Sequence, residues 1–229
     1  LIEMNQIVDK SVDMILCDPP YGTTACKWDA VIPFEQLWDH YKRVIKDNGV
    51  IALFGNEPFS SRLRISNIDH YKYDWIWVKK KNIGTGFMHA KNAPIRIIET
   101  ISIFSKAGVV HSGKGNRMRY SPLGLIECSQ KETRRPSKEG TIRHRLERKS
   151  NHTYERKLTN YPVNVLDIDF KKNETKPRLH STQKPVALLE YLIKTYTNEN
   201  DLILDNCMGS GSTLVACKDL NRRGIGIEK

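Results

Sequence analysis

Two short stretches of this chain carry side chains whose types and spacing could do chemistry. The first is Asp18-Pro19-Pro20-Tyr21-Gly22, which follows the apolar run from Ser11 to Cys17. An apolar run stopped by two prolines reads as a buried parallel strand ending in a rigid turn. Such a turn presents a carboxylate, carbonyls that no continuing ladder claims, and an aromatic ring. The combination suits a planar ring bearing an amine. Asp18 and the Pro19 carbonyl can accept from an NH2 group, and Tyr21 can stack on the ring face. An ordinary strand-terminating turn has the same letters, so this stretch does not decide by itself.

The second stretch is Asp205-Asn206-Cys207-Met208-Gly209-Ser210-Gly211-Ser212-Thr213, between a predicted strand and a predicted helix. Glycines there let the backbone approach a ligand, and the helix start offers free N–H groups. A lone G-x-G is weak as a signal. The dinucleotide fingerprint also wants a third glycine, and this chain has Leu214 in that place. Glu228 ends the next predicted strand, roughly twenty residues on, where an acid binds ribose hydroxyls in nucleoside-binding folds. A cofactor with ribose but no pyrophosphate fits this pattern better than NAD.

Both stretches need parallel strands to position them. Residues 35–47 place Leu37, Trp38, Tyr41, Val44 and Ile45 at helical spacing, with Asn48-Gly49 as the stop. A strand is predicted over 50–54, a helix over 58–68, and strands over 73–78 and 97–104, joined by a loop over 80–94. Beyond a basic segment come a helix over 185–196, a strand over 201–205, a helix over 212–220 and a strand over 224–228. Strands and helices alternating at this rhythm imply an α/β fold, Rossmann-like and doubly wound. Its sheet is mostly parallel, with helices on both faces.

Charge is unevenly distributed. The formal net charge is +11, and residues 111–160 hold 13 Lys and Arg against 5 Glu and no Asp. A polyanionic partner would meet its counter-charge mainly in this segment, which shows little periodicity and reads as irregular. No apolar run reaches the roughly 20 residues that span a bilayer, and no signal-peptide pattern opens the chain. Five cysteines, never spaced as C-x-x-C, argue against a disulfide framework and against a metal site.

The order of motifs carries a resemblance. D-P-P-Y comes first, then the basic segment, then H-S-T-Q-K-P-V-A-L-L-E (His180 to Glu190), then D-N-C-M-G-S-G-S-T and G-I-G-I-E. This is similar to the β-class DNA amino-methyltransferases of restriction-modification systems and phages, the N6-adenine and N4-cytosine family. In that family the motif order is circularly permuted, with the catalytic motif ahead of the cofactor motif. The resemblance covers nearly the whole chain. It implies a catalytic half over 1–110, a target-recognition insertion over 111–160 and a cofactor-binding half over 161–229. It implies S-adenosylmethionine as cofactor, double-stranded DNA as partner and the cytoplasm of a bacterial or phage-infected cell as location. Many relatives dimerise, so a homodimer is a further expectation.

Residue by residue, the resemblance makes Asp18, Pro19, Pro20 and Tyr21 the catalytic motif. The first two hold the target amine and Tyr21 stacks on the base. Asp205, Asn206, Cys207, Gly209, Gly211 and Thr213 line the cofactor pocket, and Glu228 takes the ribose. Thr182, Gln183 and Lys184 embrace the methionine end. Arg134, Arg135, Arg143, Arg145, Arg148 and Lys149 are the basic residues expected on DNA. Two departures stand out. Asn206-Cys207 replaces the family's Pro-Phe, and the chain starts and stops inside the family's usual span, as if trimmed at both ends.

The chemistry implied is direct methyl transfer to an exocyclic amine of a base flipped out of the duplex. Transfer to cytosine C5 would need a nucleophilic cysteine, usually in a Pro-Cys pair, and no Pro-Cys occurs here. Asp rather than Ser before P-P-Y puts adenine N6 ahead of cytosine N4. An RNA adenine methyltransferase and an inactive DNA-binding relative are the remaining alternatives.

Overall fold

The computed structural model describes the chain except residues 25, 27–28, 80–85, 110–116, 135–151, 168–182 and 229. Its centre is a seven-stranded sheet in the order β7-β3-β4-β2-β1-β8-β9. The strands are β1 (Val12–Cys17), β2 (Ile45–Gly55), β3 (Tyr71–Val78), β4 (Ile98–Phe104), β7 (Val165–Leu166), β8 (Leu202–Asp205) and β9 (Arg223–Gly226). Four neighbouring pairs run parallel, and only β4 is reversed, antiparallel to both β2 and β3. All six residues of β1 are buried, as expected for a strand covered on both faces.

Four helices supply that cover. Helices α1 (Phe34–Val44) and α2 (Phe59–Ser66) pack one face through Leu37, Trp38, Tyr41, Phe59 and Leu63. Helices α3 (Val186–Tyr196) and α4 (Ser212–Asp219) pack the other through Leu188, Leu192, Ile193 and Ala216. The doubly wound expectation therefore holds. Because α1 leaves β1 on one face and α4 leaves β8 on the other, the chain switches direction between these two adjacent strands. Ligands bind outside strand carboxyl ends at such a switch point.

Sequence and structure differ at β7, which the sequence did not predict, at the start of β2 and in the basic segment. The helix predicted to run to Asn48-Gly49 ends at Val44, and β2 begins at once with Ile45 paired to Val12. Local spacing favoured the helix, but burial of Ile45 against β1 outweighs it. The segment read as irregular also contains a two-stranded antiparallel ribbon, β5 (Ile126–Arg134) with β6 (His152–Thr159). Pro122–Val163 form a compact unit of their own, distinct from Leu1–Ser121 with Asn164–Lys229. No helix among the described residues is long and apolar enough to cross a membrane.

Candidate active site

Asp18 is the first residue after β1, and Pro19 and Pro20 carry the chain off the sheet. No described residue donates to the Pro19 carbonyl, so among the described residues its acceptor capacity is unspent. The Tyr21 hydroxyl lies 2.5 Å from Asp18 Oδ1 and 3.0 Å from Glu99 Oε1. With one proton, that hydroxyl can donate to only one of them at a time. The Tyr21 ring packs on Phe59, with centroids 5.0 Å apart.

Lys184, expected at the methionine end of the cofactor, lies on the catalytic motif. Its Nζ is 2.6 Å from Asp18 Oδ2 and 2.8 Å from Glu99 Oε1, above the ring of Phe54. Lys79 completes the cluster at 2.5 Å from Glu99 Oε2. Two carboxylates and two ammonium groups thus alternate in a row, Lys79, Glu99, Lys184 and Asp18, and the Tyr21 hydroxyl lies between the two carboxylates. Burial alone would lower the Lys184 pKa, but the flanking Asp18 and Glu99 carboxylates outweigh it and raise the pKa. Glu99 shows the mirror image. Burial would push its pKa up, yet Lys184 and Lys79 hold it below the usual carboxylate range. Burial and these two acids push Tyr21 well above an ordinary phenol, so it stays a neutral hydrogen-bond donor.

The turn after Tyr21 has its own anchor. Asp29 accepts from four consecutive backbone N–H groups, those of Tyr21, Gly22, Thr23 and Thr24, at 2.7–3.0 Å. Such a ring of donors offsets the cost of burying the carboxylate and leaves its pKa lowered. Sequence reasoning missed Glu99, Lys79 and Asp29. Only Glu99 had a signal, as the one acid within the apolar run from Ile97 to Phe104.

The second motif turns from β8 into α4, next to the first in the register that pairs Ile15 with Leu204. Gly209 and Gly211 have φ of 50° and 77°, which few other residues tolerate, and a Cβ on either would meet nothing within 4 Å. Open space lies over both glycines, as a cradle for a nucleoside would require. Glu228 Oε2 accepts the Gly209 N–H at 2.7 Å, so the acid after β9 and the glycine turn form one wall. Asp205 is buried, accepting from the Cys207 N–H at 3.1 Å and the Thr213 hydroxyl at 2.5 Å. Burial pushes its pKa up to about 6 despite these donors. Asn206 turns inward, accepting from the buried Tyr41 hydroxyl at 2.6 Å. Cys207 packs at the edge of the core.

Of the expected residues, Asp18, Pro19, Pro20, Tyr21 and Lys184 therefore meet at one strand end. Asp205, Asn206, Cys207, Gly209, Gly211, Thr213 and Glu228 meet at the neighbouring end. Thr213 spends its hydroxyl on Asp205, and Gln183 is half-buried. Thr182, Arg135, Arg143, Arg145, Arg148 and Lys149 lie outside the described residues. Arg134 closes β5 opposite His152.

Solved structures that share this fold include methyltransferases. The M1.HpyAVI complex with S-adenosylmethionine superposes with a TM-score of 0.54 at 23% identity, covering 96% of this chain and 83% of that one. The cytosine-N4-specific PvuII DNA methyltransferase superposes at 0.61 with 14% identity, covering 98% and 77%. In sequence, the chain is 27% identical to the type II methyltransferase M.HpaI of Haemophilus parainfluenzae, covering 98% of this chain and 66% of that protein. It is 26% identical to M1.MboII of Moraxella bovis, covering 98% and 87%. Residues 12–229 match the N6_N4_Mtase family, described as DNA methylase. The chain belongs to this N6-adenine/N4-cytosine DNA methyltransferase family, whose cofactor is S-adenosylmethionine.

Proposed function

We propose that this protein methylates the N6 amine of adenine in double-stranded DNA after the base leaves the stack. The observation that carries this reading is the succession of Asp18 and a Pro19 carbonyl that no described residue claims. They follow directly on β1, the strand next to the one that ends in the open, glycine-cornered turn. Two acceptors on consecutive residues match in number the two hydrogens of an exocyclic amine. Holding both hydrogens favours a more tetrahedral nitrogen, whose lone pair is then less delocalised into the ring. When bound, S-adenosylmethionine supplies an electrophilic methyl on a sulfonium. Asp205, Gly209, Gly211 and Glu228 would hold it, and the protein's own task is to align the amine with that methyl. No covalent enzyme intermediate is needed. Tyr21 would face the base and exclude water from it.

Adenine is favoured over cytosine N4 by Asp18, where cytosine enzymes of this family more often carry Ser. Cytosine N4 is the second reading, because its amine offers the same two hydrogens. The deciding experiment incubates the protein with methyl-labelled S-adenosylmethionine and duplex DNA, single-stranded RNA or no acceptor, then digests the product to nucleosides. Label in N6-methyl-2′-deoxyadenosine from DNA, lost in Asp18→Ala while circular dichroism is unchanged, is the expected result. Label in N4-methyl-2′-deoxycytidine would replace the adenine reading. Label in RNA alone would replace DNA as substrate, and activity of Asp18→Ala within a few-fold of the original would remove Asp18 from catalysis.

A further inference from the structure

Glu99 is 2% exposed and lies within β4, too deep to meet a substrate. Yet it touches both groups that hold the acceptor carboxylate. Lys184 sits on Asp18 Oδ2 and Glu99 Oε1, and the Tyr21 hydroxyl sits between Asp18 Oδ1 and the same Glu99 oxygen. Each oxygen of Asp18 is therefore fixed by a partner that Glu99 fixes in turn. Lys79 pins the other Glu99 oxygen and stops that carboxylate from rotating. Counting charges, Asp18 and Glu99 balance Lys184 and Lys79.

We propose that Glu99 is a positioning residue with two effects, orienting Asp18 for the amine and keeping the pocket neutral for a cationic methyl donor. The proposal rests on the reading of Asp18 as amine acceptor and of S-adenosylmethionine as donor. Without the Glu99 charge, Lys184 and Tyr21 lose their common anchor, and the four-charge cluster becomes a net cation. A net cation disfavours a sulfonium but not the uncharged thioether that remains after transfer.

The discriminating variant is Glu99→Gln in the full chain, which keeps the shape and removes the charge. Calorimetric titration with S-adenosylmethionine and with S-adenosylhomocysteine, together with kcat and KM on duplex DNA, reads both effects. The turnover number is expected to fall on the order of 100-fold, the scale of a 1 Å misplacement, at unchanged KM for DNA. The affinity for the sulfonium is expected to fall roughly tenfold relative to the thioether, as for a unit charge some 10 Å away in a medium of intermediate dielectric. Glu99→Gln with Lys79→Met removes one charge of each sign. It should restore the sulfonium-to-thioether ratio while turnover stays low, and it serves equally if the single variant does not fold. A turnover within about threefold of the original, or equal weakening of both ligands with a lowered melting temperature, would overturn the proposal. If the unaltered protein binds the cofactor but methylates no DNA, the substrate reading fails separately, and the ligand ratio alone decides Glu99.

Discussion

The carboxylate of Asp29 accepts the backbone N–H of Tyr21 at 2.8 Å, and through three further N–H groups it sets the whole turn that follows the catalytic motif. Asp29→Asn keeps the volume but replaces one acceptor oxygen with a donor. Backbone groups left unpaired cost about 1–3 kcal/mol each when buried, and here the loop can open to water and recover part of that. The expected outcome is a locally loosened turn, seen as faster amide exchange over residues 21–24, with a fall in kcat of about tenfold or more. The native Asp29 pKa is lowered, so its stabilisation is present above the unfolded value and lost as pH falls through the folded one. The original protein should therefore lose protection of these amides on acidification, and the Asn variant should not. Equal exchange rates in both would detach Asp29 from the turn.

Tyr21 has two separable roles, a ring and a hydroxyl. Tyr21→Phe keeps the packing on Phe59 and any stacking on a base, but drops the donor to Asp18 and Glu99. A hydrogen bond to a charged group contributes about 1.5–3 kcal/mol, so the Phe variant is expected to lose roughly 10- to 100-fold in kcat/KM. Tyr21→Ala should lose more. Steady-state kinetics on both variants checks the order, and a Phe variant as poor as the Ala variant would mean that the ring contributes nothing.

How far the fold and site could be read in advance follows from the range of each signal. The ends of β1 and β8 were legible because Pro19-Pro20 and Gly209-Ser210-Gly211 are local punctuation that needs no tertiary context. The end of α1 was not, since Ile45 joins β2 only because Val12 lies across from it. The β5–β6 ribbon was hidden for a different reason. Its strands, with sequences IECSQKETR and HTYERKLT, lack the alternation of apolar residues that marks a half-buried strand. Their pairing also spans the intervening chain. The site divides in the same way. Asp18 and Glu228 announce themselves beside turns, whereas Lys79 matters only because strand pairing brings Glu99 to it, and Asp29 because its loop doubles back on residues 21–24.

Asp205 carries a pH signature. Burial lifts its folded pKa to about 6, above the usual carboxylate range, so the folded state favours the protonated acid. That contribution is fully present below the unfolded pKa and is lost as pH rises through about 6. Asp205→Asn removes the buried charge. The Thr213 hydroxyl can rotate to accept from the new amide, while the Cys207 N–H keeps its acceptor. The ligand-free Asn variant is expected to gain stability over the original protein at pH 8 but little at pH 4, by up to about 3 kcal/mol if the whole shift acts on stability. Urea melts at the two pH values test it. A gain of the same size at both would mean that ionisation of Asp205 is not what limits stability.

The last prediction concerns the basic segment. Arg134 ends β5, and residues 135–151, which join the two strands, carry six Lys and Arg against two Glu. If this connection lies along DNA, its cations neutralise phosphates and release counterions. Removing one phosphate-neutralising side chain then lowers the slope of log affinity against log salt by about 0.9. Arg134→Ala with Arg135→Ala should weaken binding to all duplexes alike and flatten the salt dependence by up to about two units. Fluorescence anisotropy at several salt concentrations, on a methylatable duplex and a scrambled one, measures both quantities. Unaltered affinity and slope would take this pair off the interface. Loss of discrimination between the duplexes at constant slope would make the two arginines base readers, because hydrogen bonds to base edges carry sequence information and those to phosphates do not.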